Sequence, residues 1–282
     1  MPIDISPLQA RTLLKHFELK PRKSLGQNFL VSAGAREIII EAADLQPGEV
    51  VLEIGPGLGA LTERLVDEAG WVVSVELDDT LYEILNTIFD KRDNLKLISG
   101  DILEIQPGEL GLEPGYVVVA NIPYNITSNL LRQLMESDSP ASRIILTIQK
   151  EVAERIVAGP GDMSLLSLSV QLFGVPTIKA NLSSGSFYPA PSVESSVVRI
   201  DMHEQPLATA QEIDTLFRLA RAGFGQKRKQ LQNALAHGLP ISKAQAENLL
   251  RSCDIDPRAR AQALCLEEWL CLAEKIRHVS AG

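Results

Sequence analysis

Between residues 50 and 148 the chain alternates short, β-branched apolar runs with amphipathic helical stretches, and few folds accommodate that alternation. Val50-Val51-Leu52-Glu53-Ile54 ends at a glycine and has the length and composition of a buried strand. A helical pattern follows over about Leu58–Ala69, Gly70 stops it, and Trp71–Val75 is the next strand. Asp79–Asp90 carries Leu81, Ile84, Leu85 and Ile88 at helical spacing. Leu95–Ile98, Tyr116–Ala120 and Arg143–Ile148 are further strand patterns, with a helix over about Thr127–Glu136. The expectation is an α/β fold with a parallel, doubly wound sheet. Next come a helical stretch at Lys150–Val157, a turn at residues 159–161 and apolar residues over Leu165–Phe173. Thr177–Leu182 and Ser196–Ile200 then predict a closing pair of strands.

Past Pro206 only helical patterns remain: Ala210–Ala222, Lys227–His237, Ser242–Ser252 and Leu266–His278. The expected organisation is a basic arm over residues 1–30, an α/β domain over 31–206 and a smaller all-α domain over 207–282.

A chain of 282 residues, 45% hydrophobic and 22% charged, can build its own core. No apolar run approaches the ~20 residues of a membrane span, and the N-terminal stretch lacks the apolar core of an export signal. The expectation is a cytoplasmic protein without a membrane partner. Cys253, Cys265 and Cys271 lack CxxC spacing and predict free thiols. No histidine–cysteine cluster has zinc spacing, so no metal is expected. The net charge of −9 argues, as an average, against nucleic acid. Split by segment, residues 1–30 carry +3, 31–206 carry −15 and 207–282 carry +3. The basic ends reopen the question of a nucleic-acid partner.

The loop Glu53-Ile54-Gly55-Pro56-Gly57-Leu58-Gly59 joins a strand to a helix. Its GxGxG spacing is neither the dinucleotide fingerprint nor a phosphate-binding loop, and Pro56 removes an N–H that a phosphate cradle would use. Gly55 and Gly57 let a ligand approach the backbone. Glu76 ends the second strand, the place of a carboxylate that binds both ribose hydroxyls. Gly100-Asp101 follows the third strand and suits an adenine amine. Three such features at successive strand ends, together with the loop that follows the fourth strand, point to S-adenosyl-L-methionine.

Asn121-Ile122-Pro123-Tyr124 follows the fourth strand. An exocyclic adenine amine is a poor nucleophile, because its lone pair is delocalised into the ring. A site that methylates it must accept its two protons and draw it towards tetrahedral geometry. An Asn oxygen and a proline-fixed backbone carbonyl supply the acceptors, and an aromatic ring stacks the base. The same four residues also suit an ordinary turn. The glycine loop upstream favours catalysis.

With these parts the chain resembles the ribosomal RNA adenine N6,N6-dimethyltransferase family, and most its bacterial small-subunit members. The likeness runs through Lys23–Leu30, Glu53–Gly59, Glu76-Leu77-Asp78, Gly100-Asp101 and Asn121–Tyr124. It continues through Gln149–Val152, Phe187–Val193 and Phe224–Lys229. It implies a Rossmann-like methyltransferase sheet with a helical C-terminal domain. It implies that Asn28 and Leu30 close over the cofactor beside Gln27, and that the Gly55–Gly57 loop holds the methionine end. Glu76 with Leu77 would take the ribose, Asp101 with Ile102 the adenine, and Asn121 the cofactor's amino region, the target amine, or both in turn. Tyr124 and Phe187 would sandwich the target adenine, and base stacking of this kind contributes about 1–3 kcal/mol. An aromatic beside two prolines equally suits a buried loop anchor.

The implied substrate is a pair of adjacent adenosines in the 3′-terminal hairpin loop of 16S ribosomal RNA, acted on by a monomer. Arg22, Lys23, Lys150, Lys227, Arg228 and Lys229 are candidate phosphate contacts. The overall acidity departs from the family's basic habit and predicts a narrow RNA contact. The rivals are a large-subunit adenine methylase, an inactive RNA-binding assembly factor and a small-molecule methylase. The basic helical tail disfavours the first, intact Glu76, Asp101 and Asn121–Tyr124 the second, and Phe187 with the basic ends the third.

Overall fold

The computed structural model describes residues 5–279. In chain order the elements begin α1 (Ala10–His16), β1 (Phe29–Leu30), α2 (Ala33–Ala43), β2 (Val50–Ile54), α3 (Thr62–Glu68), β3 (Trp71–Glu76) and α4 (Asp79–Ile88). They continue β4 (Leu95–Ser99), β5 (Val117–Asn121), α5 (Thr127–Met135), β6 (Arg143–Gln149), α6 (Lys150–Val157) and α7 (Leu165–Gln171). Last come β7 (Gly174–Leu182), β8 (Phe187–Tyr188), β9 (Ser195–Met202), α8 (Ala210–Phe224), α9 (Leu231–Gly238), α10 (Lys243–Arg251) and α11 (Leu266–Val279). No helix among the described residues is long and apolar enough to cross a membrane.

The chain forms two compact units. The α/β unit runs to Ala153 and resumes over Val175–Met202; the helical unit is Glu154–Gly174 plus the chain from His203 onward. The expected boundary near residue 206 therefore misses one segment, residues 154–174. The reason is backbone pairing: His203 N–H donates to Phe173 O at 2.8 Å, Leu207 N–H to Leu172 O at 3.1 Å, and Gly161 N–H to Gln262 O at 2.8 Å.

In the α/β unit the seven-stranded sheet has the order β4-β3-β2-β5-β6-β9-β7. β4 through β6 pair in parallel, and β9 pairs antiparallel with β6. The sheet is thus mixed: the expected parallel pairing holds for β2 to β6, and β9 of the closing pair runs antiparallel to them. β7 and β9 are joined without an intervening α-helix, and parallel neighbours need such a crossover. The expected strands differ from the observed ones by a few residues at their ends. β5 and β6 are buried on both faces, which is why their sequences lack polar alternation.

Helix α2 is the chief helix that the strand–helix pattern leaves out. Ser32 caps it, its hydroxyl accepting from Ala35 N–H at 3.2 Å, and Ile39, Ile40 and Ala43 are buried. Its last carbonyls are held from β6. Arg143 donates to Ala43 O at 2.6 Å and Asp44 O at 2.8 Å, and to both oxygens of Glu49. The stretch expected as a basic arm is built into the core: Ala10, Leu13 and Leu14 of α1 pack with Phe29, Leu58, Leu81 and Ile84. β1 pairs with β8 in a separate two-stranded sheet, Leu30 opposite Phe187.

The helical unit centres on buried Trp269, which stacks on Phe224 with ring centroids 5.4 Å apart. Capping boxes Thr209/Glu212 and Ser242/Gln245 start α8 and α10. Two expectations are corrected here. The helix expected from Lys227 begins at Leu231, so Lys227, Arg228 and Lys229 lie in the preceding turn and are exposed. Cys253 and Cys271 are disulfide-bonded, and only Cys265 is a free thiol. The close of α10 and the α11 helix bring the two Cα atoms to 5.9 Å, within bridging reach, and spacing along the chain does not reveal it.

Candidate active site

The carboxyl ends of β2, β3, β4 and β5 open into one cleft, where ligands of such sheets bind. Gln27, Asn28, Leu30, Gly55, Gly57, Glu76, Leu77, Asp101, Ile102, Asn121, Ile122, Pro123 and Tyr124 all line it. These are every cofactor candidate and four of the five catalytic candidates from the sequence.

The glycine loop turns through left-handed backbone at Gly57 (φ 61°), and a Cβ there would meet the Phe29 ring at 3.2 Å. This turn aims Gly57 N–H at Glu76, whose Oε2 accepts it at 2.9 Å. Glu76 Oε1 accepts from Asp78 N–H, also at 2.9 Å. Each oxygen keeps a second lone pair. Burial pushes the Glu76 carboxyl above its ordinary range, while these two backbone N–H groups act against the shift. Leu77 beside it is 52% exposed, an apolar face towards the cleft. Asp101 caps a short turn, Oδ1 accepting from Leu103 N–H at 2.9 Å, which leaves Oδ2 for a donor in the cleft.

The residues fit an adenosyl ligand. Two carboxylates with spare lone pairs suit ribose hydroxyls and an adenine amine, apolar Leu77 and Ile102 suit the base, and the open face of Gly55 suits a close-lying tail. Around Gly55 a Cβ would meet only Asn121 O, at 3.9 Å.

Asn121 ends β5 opposite Thr147 of β6. Its amide Nδ2 donates to Asn28 O at 3.1 Å, which orients Oδ1 as the free acceptor. Pro123 (φ −56°, ψ 135°) turns the chain, and Pro123 O accepts from Ile126 N–H at 3.3 Å. Tyr124 O–H and Ser195 Oγ lie 2.8 Å apart, which fixes the ring against the start of β9.

Phe187 is the exception. It is 4% exposed, packs in the core with Leu30, Ala35 and Ile39, and does not line the cleft. In this conformation it anchors the loop before β9 instead of offering a ring to a base. The short β1–β8 pairing, which local sequence does not announce, faces it inward.

The basic candidates divide. Arg22 pairs with Asp78 at 3.1 Å and donates to Thr80 Oγ1 at 3.3 Å. Lys150 pairs with Glu194 at 3.0 Å. Lys23 is exposed in a short turn, as are Lys227, Arg228 and Lys229 in the helical unit. Asp78, Ser195 and Ser24–Gly26 support the site without a local sequence signal of that role, although Asp78 directly follows Glu76-Leu77.

Known proteins resemble this chain along nearly its whole length. The family model described as "Ribosomal RNA adenine dimethylase" matches residues 18–278. "Ribosomal RNA small subunit methyltransferase A" of Dehalococcoides mccartyi (strain CBDB1) is 47% identical over 267 residues, 94% of this chain and 92% of the relative. The protein of that name from Moorella thermoacetica is 37% identical over 97% of this chain and 98% of its own. The crystal structure of a dimethyladenosine transferase from Plasmodium falciparum superposes with a TM-score of 0.76 at 27% identity, covering 89% of this chain and 98% of that one. The 23S rRNA methyltransferase ErmE superposes with a TM-score of 0.73 at 25% identity, covering 89% of this chain and all of the other. A strand-end cleft with this donor set, matched along nearly the whole chain, leads to one conclusion: the chain belongs to the ribosomal RNA adenine dimethylase family.

Proposed function

We propose that the chain dimethylates N6 of two adjacent adenosines in the 3′-terminal hairpin loop of 16S ribosomal RNA, during small-subunit maturation. The enzyme is an S-adenosylmethionine-dependent ribosomal RNA adenine dimethyltransferase. The observation that carries the assignment of roles is the Asn121 side chain, whose amide nitrogen is engaged by Asn28 O so that its oxygen is left to accept.

When bound, S-adenosylmethionine supplies a methyl group made electrophilic by the sulfonium. Glu76 and Asp101 hold the adenosyl end, and Gly55 and Gly57 admit the tail. Asn121 Oδ1 accepts a hydrogen bond from one N–H of the target amine. The Ile122 carbonyl, held ahead of Pro123, accepts a hydrogen bond from the other N–H. These two hydrogen bonds, with both protons still on the nitrogen, draw the amine lone pair out of the ring, towards the methyl donor. Tyr124, fixed by Ser195, stacks the base. The methylated amine releases its proton to solvent, so catalysis rests on positioning and electrostatics. A second round needs the monomethylated amine to fit, which one acceptor on each side allows.

Exposed Lys23, Lys227, Arg228 and Lys229 are assigned to phosphate contacts. Arg22 and Lys150 are secondary, because each already pairs with a carboxylate. The protein is proposed to act as a cytoplasmic monomer. The domain assignment proposed is a catalytic α/β unit and an RNA-binding helical unit.

Asn121→Ala tests the central role. Transfer should fall by about 10²-fold or more, the scale for losing one aimed polar group, while RNA binding by filter retention stays near normal. Near-normal transfer by the variant would refute the amine-holding role.

A further inference from the structure

We propose that Asp78 is a positioning residue that latches the segment Arg22–Asn28 over the cleft and, through it, holds the side chain of Asn121. This rests on the assignment of the cleft to S-adenosylmethionine.

Asp78 is only 4% exposed, and both its oxygens are engaged. Oδ1 accepts from Thr80 N–H at 3.0 Å, capping α4, and pairs with the Arg22 guanidinium at 3.1 Å. Oδ2 accepts from Gln27 Nε2 at 2.9 Å. Gln27 Oε1 in turn accepts from Arg22 N–H at 2.8 Å, so the two ends of the segment are tied to each other as well as to Asp78. Between them the chain makes a tight turn over Lys23–Leu25 and reverses at Gly26 in left-handed backbone (φ 62°). Ser24, Leu25 and Gly26 thereby reach the cleft wall.

The chain of contacts then runs to the chemistry. Asn28 Nδ2 donates to Gly26 O at 3.0 Å, and Asn28 O receives Asn121 Nδ2 at 3.1 Å. One buried carboxylate thus fixes the segment whose carbonyl orients the proposed acceptor. Capping alone does not require this carboxylate, since Asn or Ser caps a helix equally well. Its charge is used by Arg22 and Gln27, and hydrogen bonds to an ionised acceptor are the stronger kind.

Asp78→Asn separates the two roles. It keeps an oxygen for Thr80 N–H, removes the Arg22 ion pair and turns an NH₂ towards Gln27 Nε2. Amide exchange of Leu25, Gly26 and Gln27 in cofactor-free protein should accelerate roughly tenfold, the ratio one hydrogen bond to a charged group sets, with α4 amides unmoved. S-adenosylmethionine dissociation, followed by stopped flow, should accelerate similarly, and Arg22→Ala should bring less change in the Asp78→Asn background than alone, the remainder being its hydrogen bond to Thr80 Oγ1. Unchanged exchange at residues 25–27, or additive effects of the two substitutions, would overturn the latch. Faster exchange with unchanged dissociation would overturn its role in retaining cofactor. Glu76→Ala, measured alongside, separates the two ideas: if it weakens S-adenosylmethionine binding, only the latch has failed. If it does not, the cofactor assignment of the cleft has failed, and exchange alone decides the latch.

Discussion

Glu53 sits one residue pair below the cleft with its charge only partly answered. It is 1% exposed; Oε2 receives the hydroxyls of Thr62 at 2.8 Å and Ser74 at 2.6 Å, while Oε1 has no partner among the described residues. Burial, with a smaller push from Glu76, raises its carboxyl to about 7. A raised carboxyl favours the protonated form in the fold. Its contribution is fully present below the ordinary value of 4.5 and is lost as pH rises towards 7. Glu53→Gln should therefore flatten the pH dependence of unfolding free energy across this window, by up to ~1.4 kcal/mol per pH unit for one group. Denaturant titrations at several pH values check it; an unchanged profile would mean that Glu53 stays ionised. Glu49 has the opposite sign, since the Arg143 hydrogen bonds hold its carboxyl low. At this scale the sequence showed which residue types gather at the strand ends, because each strand run stops at a glycine, acid or amide. It did not show Asp78 or Ser195 as supports. Their partners lie 51 and 71 residues away, at Gln27 and Tyr124, and no local spacing encodes such contacts.

Among the elements, β2 to β6 were legible because parallel strands buried on both faces need uninterrupted apolar runs. β1 and β8 were not, because two residues each carry no periodicity, and of the two readings open for Phe187 the buried anchor matches its place in β8. The helix starts at Leu231 and not at Lys227, because basic residues suit a helix and a turn equally. The turn is set by tertiary backbone bonding, Leu231 N–H to Ala259 O at 2.7 Å. Arg143→Ala uncaps α2 and leaves Glu49 without its partner, so unfolding free energy should drop by about 3–5 kcal/mol, as for other broken, largely buried pairs. A loss below the resolution of a denaturant melt would show that α2 is held by packing alone. Neutralising Lys227, Arg228 and Lys229 together should weaken RNA binding and flatten the dependence of log K on log salt by about 2–3, at ~0.7–0.9 per phosphate contact. An unchanged slope would place the RNA elsewhere.

For the whole molecule, the charge of −9 is misleading as an average. The acid concentrates in the stretch that forms most of the α/β unit, where Glu76 and Asp101 line the cleft. Much surface charge is already paired, as in Arg64–Glu68 and Arg92–Asp67. The exposed cations outside these pairs include Lys23, Lys227, Arg228 and Lys229, the residues proposed to meet RNA phosphates. The central claim is dimethylation of small-subunit RNA, and it is tested most directly on small subunits lacking the modification. These are incubated with methyl-labelled S-adenosylmethionine, and the 3′-terminal fragment of 16S RNA is digested to nucleosides. The expected result is label in N6,N6-dimethyladenosine, two such nucleosides per fragment. Label in large-subunit RNA instead, or cofactor binding without any dimethyladenosine, would contradict it.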